Sequence, residues 1–216
     1  MASSWSSLAL AAVVALSQLP HFKGSAAALS DCLDNKGNPV PWWFMYKTQG
    51  GFVFGYIDSK STSSTIEQYP LYMNDTQNPV ALTRTLQALV VLNQQWFLFN
   101  DEPDVGTASS SYSHGKGVVS VDPASGTGVV LSHSTPKFPA STGDTQFYFP
   151  NTETTYGQTF LCMKLATPAA VNTIGQHLHF IQPCVYHSTV DTSTLGKFPS
   201  ILAVLNSQWP APSSTR

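Results

Sequence analysis

The stretch SYSHGKGVVSVD, residues Ser111–Asp122, places His114 and Lys116 two positions apart at the start of an apolar run. Residues two apart on a β-strand share a face, so an imidazole and an ammonium group would lie side by side. This pair suits a phosphate ester, because lysine can hold the non-bridging oxygens while histidine attacks phosphorus or moves a proton. We expect Gly115 and Gly117 to let a bulky substrate approach the backbone closely.

A second histidine follows on the predicted return strand. The segment DPASGTG supplies turn residues, and VVLSHS, residues Val129–Ser134, reads as the next strand. If the turn is centred near Ser125, His133 lies opposite Lys116 on the same face. One hairpin would then hold His114, Lys116 and His133 in a cluster that could bind a phosphate without metal. An H-x-K triplet is common by chance, and a lone histidine at the edge of a strand is more often a surface or core residue than a catalytic one.

Composition narrows the class of protein. The chain has 216 residues, of which 42 % are hydrophobic and 10 % charged, so it can bury a core yet carries far fewer charges than the roughly 25 % of typical soluble domains. The apolar run Leu8–Ser17 is too short for a bilayer and is followed by SAAALS, which predicts a signal peptide over residues 1–28. A buried N-terminal helix is the alternative. No later stretch predicts a membrane span.

The predicted mature chain, residues 29–216, has a net charge of −3 with neutral histidines and lacks the basic patch of a nucleic-acid-binding surface. Any phosphate contact must therefore come from a few placed groups. The three cysteines, Cys32, Cys162 and Cys184, allow at most one internal bridge, and their spacing leaves the pairing open. Asn74-Asp75-Thr76 is an N-glycosylation acceptor triplet, which is compatible with export.

The hydrophobic patterns predict alternating strands and helices and hence an α/β layered fold. A hairpin is expected around QGG, Gln49–Gly51, between VPWWFMYKT and FVFGYID. The later segments predict a helix in ALTRTLQALVVL, a strand in QWFLFN, a helix capped by Thr167 and Pro168, a strand in HFIQPCVY and a helix in FPSILAVLN.

Other residues fit a function less well than a structural role. His177 and His179 could be metal ligands, but no third ligand lies at suitable spacing. The aromatic residues of the first hairpin could stack on bases, yet their alternation is more typical of a core; they are Trp42, Trp43, Phe44, Tyr46, Phe52, Phe54 and Tyr56. Asn100 and Asp101, after the strand QWFLFN, fit either a turn or a site at the end of that strand.

Several separated blocks resemble the deoxyribonuclease II family. They are CLDNKGNPVPWWFMYK, GYIDS, FLFNDEPD, HGKGVVSVD, LSHSTPKFP and TYGQTFLC, and they extend over nearly the whole mature chain. The resemblance implies an α/β phospholipase D-like layered fold with a mixed β-sheet flanked by helices. It also implies an acid endodeoxyribonuclease of lysosomes or secretions that acts without metal or other cofactor and leaves 3′-phosphate ends on DNA.

The resemblance also assigns residues. HGK matches the first H-x-K motif of the family, which gives His114 as nucleophile or proton-transfer group and Lys116 as phosphate ligand. His133 matches a further active-site histidine, and Cys32 and Cys162 match the half-cystines of a disulfide. The phospholipase D pattern has an aspartate at the position of Val121, and Asp122 receives no catalytic role here.

The sequence departs from the family by its length. Family members continue into a second half with another H-x-K motif, so residues 29–216 correspond to the N-terminal half of the usual two-half arrangement. A single histidine is poorly placed to act both as nucleophile and as acid for the leaving group. We therefore expect one of three cases: a homodimer that completes the site around a DNA substrate, a fragment or truncated product of a longer family member, or a half-domain that binds DNA or phosphate without cutting it. A phospholipid hydrolase on the same fold is a further alternative.

Overall fold

The computed structural model describes residues 31–91, 95–140, 147 and 149–210, so the predicted signal peptide, residues 1–28, lies outside the described residues. Within this part of the chain, eight strands form one sheet in the order β10-β6-β7-β8-β9-β3-β4-β5. Its strands are β3 (Trp42–Lys47), β4 (Phe54–Asp58), β5 (Glu67–Gln68), β6 (Gln95–Asn100), β7 (Lys116–Asp122), β8 (Thr127–His133), β9 (Gln158–Leu165) and β10 (Val185–Ser188). A separate pair joins β1 (Cys32–Leu33) to β2 (Pro39–Val40).

Every strand pairing among the described residues is antiparallel. The expectation of a mixed sheet is therefore wrong. The α/β class is confirmed, because helices accompany this sheet. Parallel neighbours require a long crossover, usually through a helix. Here the neighbours β6, β7, β8 and β9 follow one another in the chain, and the described residues between them form loops and a tight turn and contain no helix.

Both predicted hairpins are present. Strands β3 and β4 pair around QGG, and β7 pairs with β8 with Lys116 directly opposite His133, as the position of the turn predicts. Strand β9, by contrast, lies at the centre of the sheet between β8 and β3, although its sequence QTFLCMKL was not predicted as a strand. Its burial alternates from Gln158 to Met163, but the apolar run FLCM puts apolar residues on both faces, so the sequence itself does not alternate.

Helices cover the two faces of the sheet. Helix α1 (Ala81–Val91) packs Leu82, Leu86 and Leu89 into a core with residues of β3, β6, β7, β8 and β9. On the other face, α2 (Pro168–Ile181) and α3 (Pro199–Leu205) pack against β6, β7 and β8, and a 3-10 helix (Thr192–Lys197) precedes α3. Among the described residues, no helix combines the length and apolar character that a bilayer crossing requires.

Helix α2 begins as its sequence predicts and ends later than expected. The Thr167 side chain accepts a hydrogen bond from the N–H of Ala170, and Pro168 occupies the first helical position. The prediction of a strand over HFIQPCVY is wrong for its first residues, because the helix continues through Ile181. It ends at Gln182, whose φ of 55° is left-handed, and β10 begins only at Val185.

A disulfide joins Cys32 to Cys162, as the family resemblance implies. It connects β1 to the central strand β9 across 130 residues of sequence. Strand β1 is also bound to α1, because the Leu33 N–H donates to the Thr85 hydroxyl at 3.0 Å. The third cysteine, Cys184, is a half-buried free thiol just before β10.

A buried lysine fixes the loops at one end of β3. The ammonium group of Lys47 donates to the backbone oxygens of Thr48 (3.0 Å), Gly51 (3.1 Å), Thr154 (3.5 Å) and Tyr156 (2.7 Å). Burial lowers the pKa of Lys47, and the charge of the nearby Glu153 carboxylate acts in the opposite direction. Because backbone oxygens satisfy the ammonium group, this charge can be buried in the fold.

We predict that replacing both Cys32 and Cys162 with alanine lowers the free energy of unfolding by about 2–5 kcal/mol, because the bridge restricts a long loop of the unfolded chain. Urea unfolding followed by tryptophan fluorescence measures the change. Cys184→Ala is the matched control and should change the stability by less than about 1 kcal/mol. Equal stability of the double variant and the oxidised wild-type protein would contradict a stabilising role for the bridge.

Candidate active site

The candidate site lies where β6 and β8 end and β7 begins. Antiparallel pairing places Asn100, the last residue of β6, opposite Lys116, the first residue of β7, and places Lys116 opposite His133, the last residue of β8. These three residues therefore form one row across the sheet. Their side chains are on the α1 face, because Val118 and Leu131, two positions further along β7 and β8, belong to the core under α1.

The Asp101 carboxylate joins the two residues of the H-x-K motif. Its Oδ2 atom lies 2.6 Å from Nδ1 of His114, and its Oδ1 atom accepts a hydrogen bond from Nζ of Lys116. A second carboxylate oxygen, Oε1 of Glu102, lies 4.0 Å from the same Nζ atom. His114 precedes β7 by two residues, so strand alternation does not bring the imidazole and the ammonium together; their shared carboxylate does.

Asp101 is ionised at the acidic pH of the expected function. Burial acts to raise the pKa of Asp101, but the hydrogen bonds and charges of Lys116 and His114 outweigh it and hold this pKa below its usual value. An ionised carboxylate can only accept hydrogen bonds. The proton on His114 that faces Asp101 must therefore sit on Nδ1, which leaves Nε2 on the opposite side of the ring.

The two motif residues differ sharply in exposure. The His114 side chain is 80 % exposed, whereas the Lys116 side chain is 2 % exposed. His114 lines an open cleft of about 520 Å³ together with Asp101, Glu102 and residues of the loop 108–112. The structure thus presents an accessible imidazole in front of a covered, paired ammonium group.

Asn100 and Asp101 were expected to act either in a turn or in a site at the end of the strand, and each residue has one of these roles. The side chain of Asn100 organises the turn, because its Oδ1 accepts from the Glu102 N–H at 2.8 Å. Its Nδ2 donates to the backbone oxygens of Thr135 and Phe138, both at 3.2 Å, and so ties the end of β6 to the segment after β8. Asp101 then projects its carboxylate to the motif. A polar pair directly after a buried strand was the signal for both roles.

The two glycines of HGKG serve packing and not substrate access. A Cβ atom on Gly117 would lie 2.5 Å from the Leu131 carbonyl oxygen and 2.6 Å from the Phe99 ring. A Cβ atom on Gly115 would lie 3.2 Å from Oγ of Ser113 and 3.3 Å from Cδ1 of Ile181. The expectation that both leave room for substrate is therefore wrong, because protein atoms already fill this space.

His133 is buried in an aromatic environment. Its ring centroid lies 5.4 Å from that of Phe138 and 6.1 Å from that of Phe160. Nδ1 accepts a hydrogen bond from the Thr135 N–H at 3.2 Å, and Nε2 has no hydrogen-bond partner among the described residues. Burial, together with the nearby charge of Lys116, lowers the pKa of His133 to about 3. The imidazole is therefore neutral at pH 5, and its predicted catalytic role remains a prediction.

The remaining candidates have other environments. His177 and His179 both lie in α2, where residues two apart do not share a face, and Nε2 of His179 contacts the Gln208 carbonyl oxygen. In the first hairpin, Trp43 and Phe54 are in the core, as the alternation indicated, while Trp42 and Tyr46 are partly exposed on the other face.

One group of described residues has the composition of a metal site. Donor atoms of Asp101, Glu102 and His114 all lie within 4.8 Å of one another. The Lys116 ammonium group already occupies one oxygen of Asp101, and a cation bound there would be repelled by it. These residues therefore suit a metal ion less well than they suit an imidazole and ammonium pair held by a carboxylate.

A family model for deoxyribonuclease II matches residues 31–216. The chain therefore belongs to the deoxyribonuclease II family. Mouse deoxyribonuclease-2-alpha is 30 % identical over 198 residues, which are 85 % of this chain and 54 % of the mouse protein. Cell-death-related nuclease 7 of Caenorhabditis elegans is 29 % identical and matches 79 % of this chain and 46 % of its own length. Plancitoxin-1 of Acanthaster planci is also 29 % identical, with 83 % of this chain and 52 % of its own length matched.

The chain spans about half the length of the curated relatives that it matches. The matched half includes the cluster of Asp101, His114 and Lys116 described above, together with the Cys32–Cys162 disulfide. Residues 29–216 contain a single H-x-K triplet.

We predict that the buried neutral His133 makes the fold less stable as the pH falls from about 6.5 toward 3. In this window the unfolded chain binds a proton at this residue and the folded chain does not, so stability decreases by up to about 1.4 kcal/mol per pH unit. His133→Phe keeps an aromatic ring there and should flatten this dependence. Urea unfolding at pH 6.5 and pH 4.5 measures it.

His177→Gln, which removes an exposed histidine of α2, is the matched control and should retain the wild-type dependence on pH. If His133→Phe and wild type lost the same stability between the two pH values, the buried imidazole would not be the cause.

Proposed function

We propose that the chain is the N-terminal half-domain of an acid endodeoxyribonuclease that hydrolyses phosphodiesters of DNA to 3′-phosphate ends, in DNA catabolism and without metal. The observation that carries this proposal is the shared carboxylate of Asp101, which holds the exposed imidazole of His114 beside the ammonium group of Lys116. Membership of the deoxyribonuclease II family supports DNA as the substrate.

His114 is proposed as the nucleophile. Because Nδ1 carries the proton shared with Asp101, the lone pair lies on Nε2, which attacks phosphorus while the bond from phosphorus to the 5′ oxygen breaks. The 5′ oxygen leaves with a proton from an acid, and phosphorus stays attached to the 3′ oxygen. Water then cleaves the phosphorus–nitrogen bond, which restores the imidazole and leaves a 3′-phosphate.

Lys116 is proposed to stabilise the charge on the non-bridging oxygens. Asp101 accepts one of the three N–H bonds of its ammonium group, so donors remain for a phosphate oxygen. Its low exposure means that a small displacement must accompany this contact. His133 lies opposite Lys116 in the hairpin, and its ring is neutral. We propose that this neutral ring avoids a second positive charge next to the lysine and that His133 transfers no proton.

The charge of the cleft does not by itself favour a phosphodiester. Two carboxylates, of Asp101 and Glu102, line it, and the ammonium group of Lys116 lies behind them. We propose function in a lysosome or an acidic secretion on the basis of family membership, with the predicted signal peptide as the route of export and Asn74 as the proposed glycosylation site.

One histidine cannot serve both sides of an in-line displacement, so the acid for the leaving group must come from elsewhere. We propose that a second copy of the chain supplies it through its own His114, with the two copies related by a two-fold axis. The second candidate function is a half-domain that binds DNA or phosphate without cutting it. The single H-x-K triplet of residues 29–216 and the covered ammonium of Lys116 favour that alternative.

The nuclease proposal predicts nicking of supercoiled plasmid at pH 5 in the presence of EDTA. His114→Ala should reduce the rate about 10²- to 10⁴-fold, because it removes the reacting group. The nicked ends should support primer extension by a polymerase only after phosphatase treatment, which reports a 3′-phosphate.

His177→Ala, on the exposed side of α2, is the matched control and should cut at the wild-type rate. Retention of plasmid on a gel without nicking would favour the binding half-domain. A requirement for a divalent cation would contradict the metal-free mechanism, and release of headgroup from phospholipid would indicate the lipid hydrolase.

The dimer proposal predicts twice the chain mass by light scattering at pH 5, with pH 7 measured for comparison. If each site needs two copies of His114, an equal mixture of wild-type and His114→Ala chains, after exchange, should keep about one quarter of the wild-type rate for the total chain present. A rate of one half, or full activity from a monomer, would show that each chain works alone.

A further inference from the structure

Tyr112 is an exposed aromatic residue inside the candidate active-site cleft. Its side chain is 41 % exposed, and it lines the same cleft as Asp101 and His114, two residues before the reacting imidazole. The cleft volume of about 520 Å³ falls in the range of about 300–1,000 Å³ that is typical of small-molecule sites. It therefore has room for more than a phosphate group.

The backbone on either side of Tyr112 is held in place. The Ser109 N–H donates to the carbonyl oxygen of Asp101 at 3.0 Å, so the loop folds back over the residue that binds His114. The Ser113 N–H donates to the carbonyl oxygen of Gln182, just beyond α2, at 3.3 Å. These two anchors fix the Tyr112 backbone relative to the imidazole, which a specific contact with a substrate requires.

The end of α2 adds apolar surface on the other side of the same loop. Ile181 is 40 % exposed and packs toward Gly115, and its neighbour Phe180 is 80 % exposed. Burying a phenylalanine side chain stabilises a fold by about 1.5–3 kcal/mol. The exposed Phe180 lacks most of this stabilisation, so it contributes little to folding. Ile181 thus borders the H-x-K loop at Gly115.

We infer that Tyr112 is a base-stacking residue: its ring receives an unpaired nucleobase of the strand being cut, next to the scissile phosphate. The inference rests on the proposed function, because only a nucleic-acid substrate brings a base next to a phosphate held at His114. Aromatic rings bind bases of any sequence through their π-faces, which suits a nuclease that acts on single-stranded or locally opened DNA.

Continuity with the phosphate position favours a nucleobase over a second copy of the chain as the occupant. Tyr112 lines the same open cleft as His114, so whatever contacts its ring also lies beside His114. The two carboxylates beside Lys116 leave affinity for a nucleic acid to be supplied by groups other than basic residues.

The test measures binding of a fluorescein-labelled single-stranded oligonucleotide of about twelve nucleotides by anisotropy at pH 5. All proteins carry His114→Ala so that the probe is not cut. Tyr112→Ser should weaken binding about five- to one-hundred-fold, the equivalent of losing one stacked base. Tyr112→Phe should bind as the parent does. Tyr72→Ser, which removes an exposed tyrosine near the β5 edge of the sheet, is the matched control and should have no effect.

A series of oligonucleotides, each with one abasic position, tests the stacking itself. The effect of Tyr112→Ser should disappear for one abasic position and persist for the others. Inorganic tripolyphosphate, which has no base, should bind equally well to the parent and to Tyr112→Ser, and less well after Lys116→Met.

Equal binding of every oligonucleotide by Tyr112→Ser and the parent, with tripolyphosphate still dependent on Lys116, would overturn the stacking inference and leave the phosphate site intact. Failure of both probes to bind would overturn the proposed function and the inference with it. A change in chain mass on Tyr112→Ser, measured by light scattering, would identify Tyr112 as a contact between copies and would also overturn the inference.

Discussion

The carboxylate of Asp101 is the interaction on which the candidate site depends. It binds the imidazole of His114 with one oxygen and the ammonium group of Lys116 with the other. Without it, the buried Lys116 charge would have only the Glu102 carboxylate, 4.0 Å away, to balance it. His114 would lose the partner that fixes its tautomer. A buried charge that loses its partner is costly, so this carboxylate both stabilises the fold and orders the reacting groups.

The order of elements explains how such a cluster forms at one edge of the sheet. Strand β6 ends in Asn100, whose amide binds the segment after β8 and turns the chain so that Asp101 faces the start of β7. Antiparallel pairing then brings the end of β8 to the same edge. The site is thus assembled from chain segments that are distant in sequence but meet because neighbouring strands run in opposite directions.

Much of this arrangement follows from the sequence, and the part that does not has a physical cause. The turn at DPASGTG is enough to place His133 opposite Lys116, because register in a hairpin is determined by its turn. The sequence does not reveal that Phe138 and Phe160 enclose His133, since one contact depends on the path of the loop after β8 and the other on the pairing of β8 with β9. The bond from Asp101 to His114 depends on a loop whose path no periodicity describes. The sequence does not predict strand β9, because its run FLCM places apolar residues on both faces.

Lys47 has a consequence for how the sequence can vary. Its ammonium group binds only backbone oxygens, from the loop after β3 and from the segment 154–156, and any residue type offers such an oxygen. Most side chains of those loops can therefore change while the loops keep their positions, provided that residue 47 stays a lysine and that position 50, with a φ of 77°, stays a glycine. A few fixed positions thus allow wide variation of the surface around them.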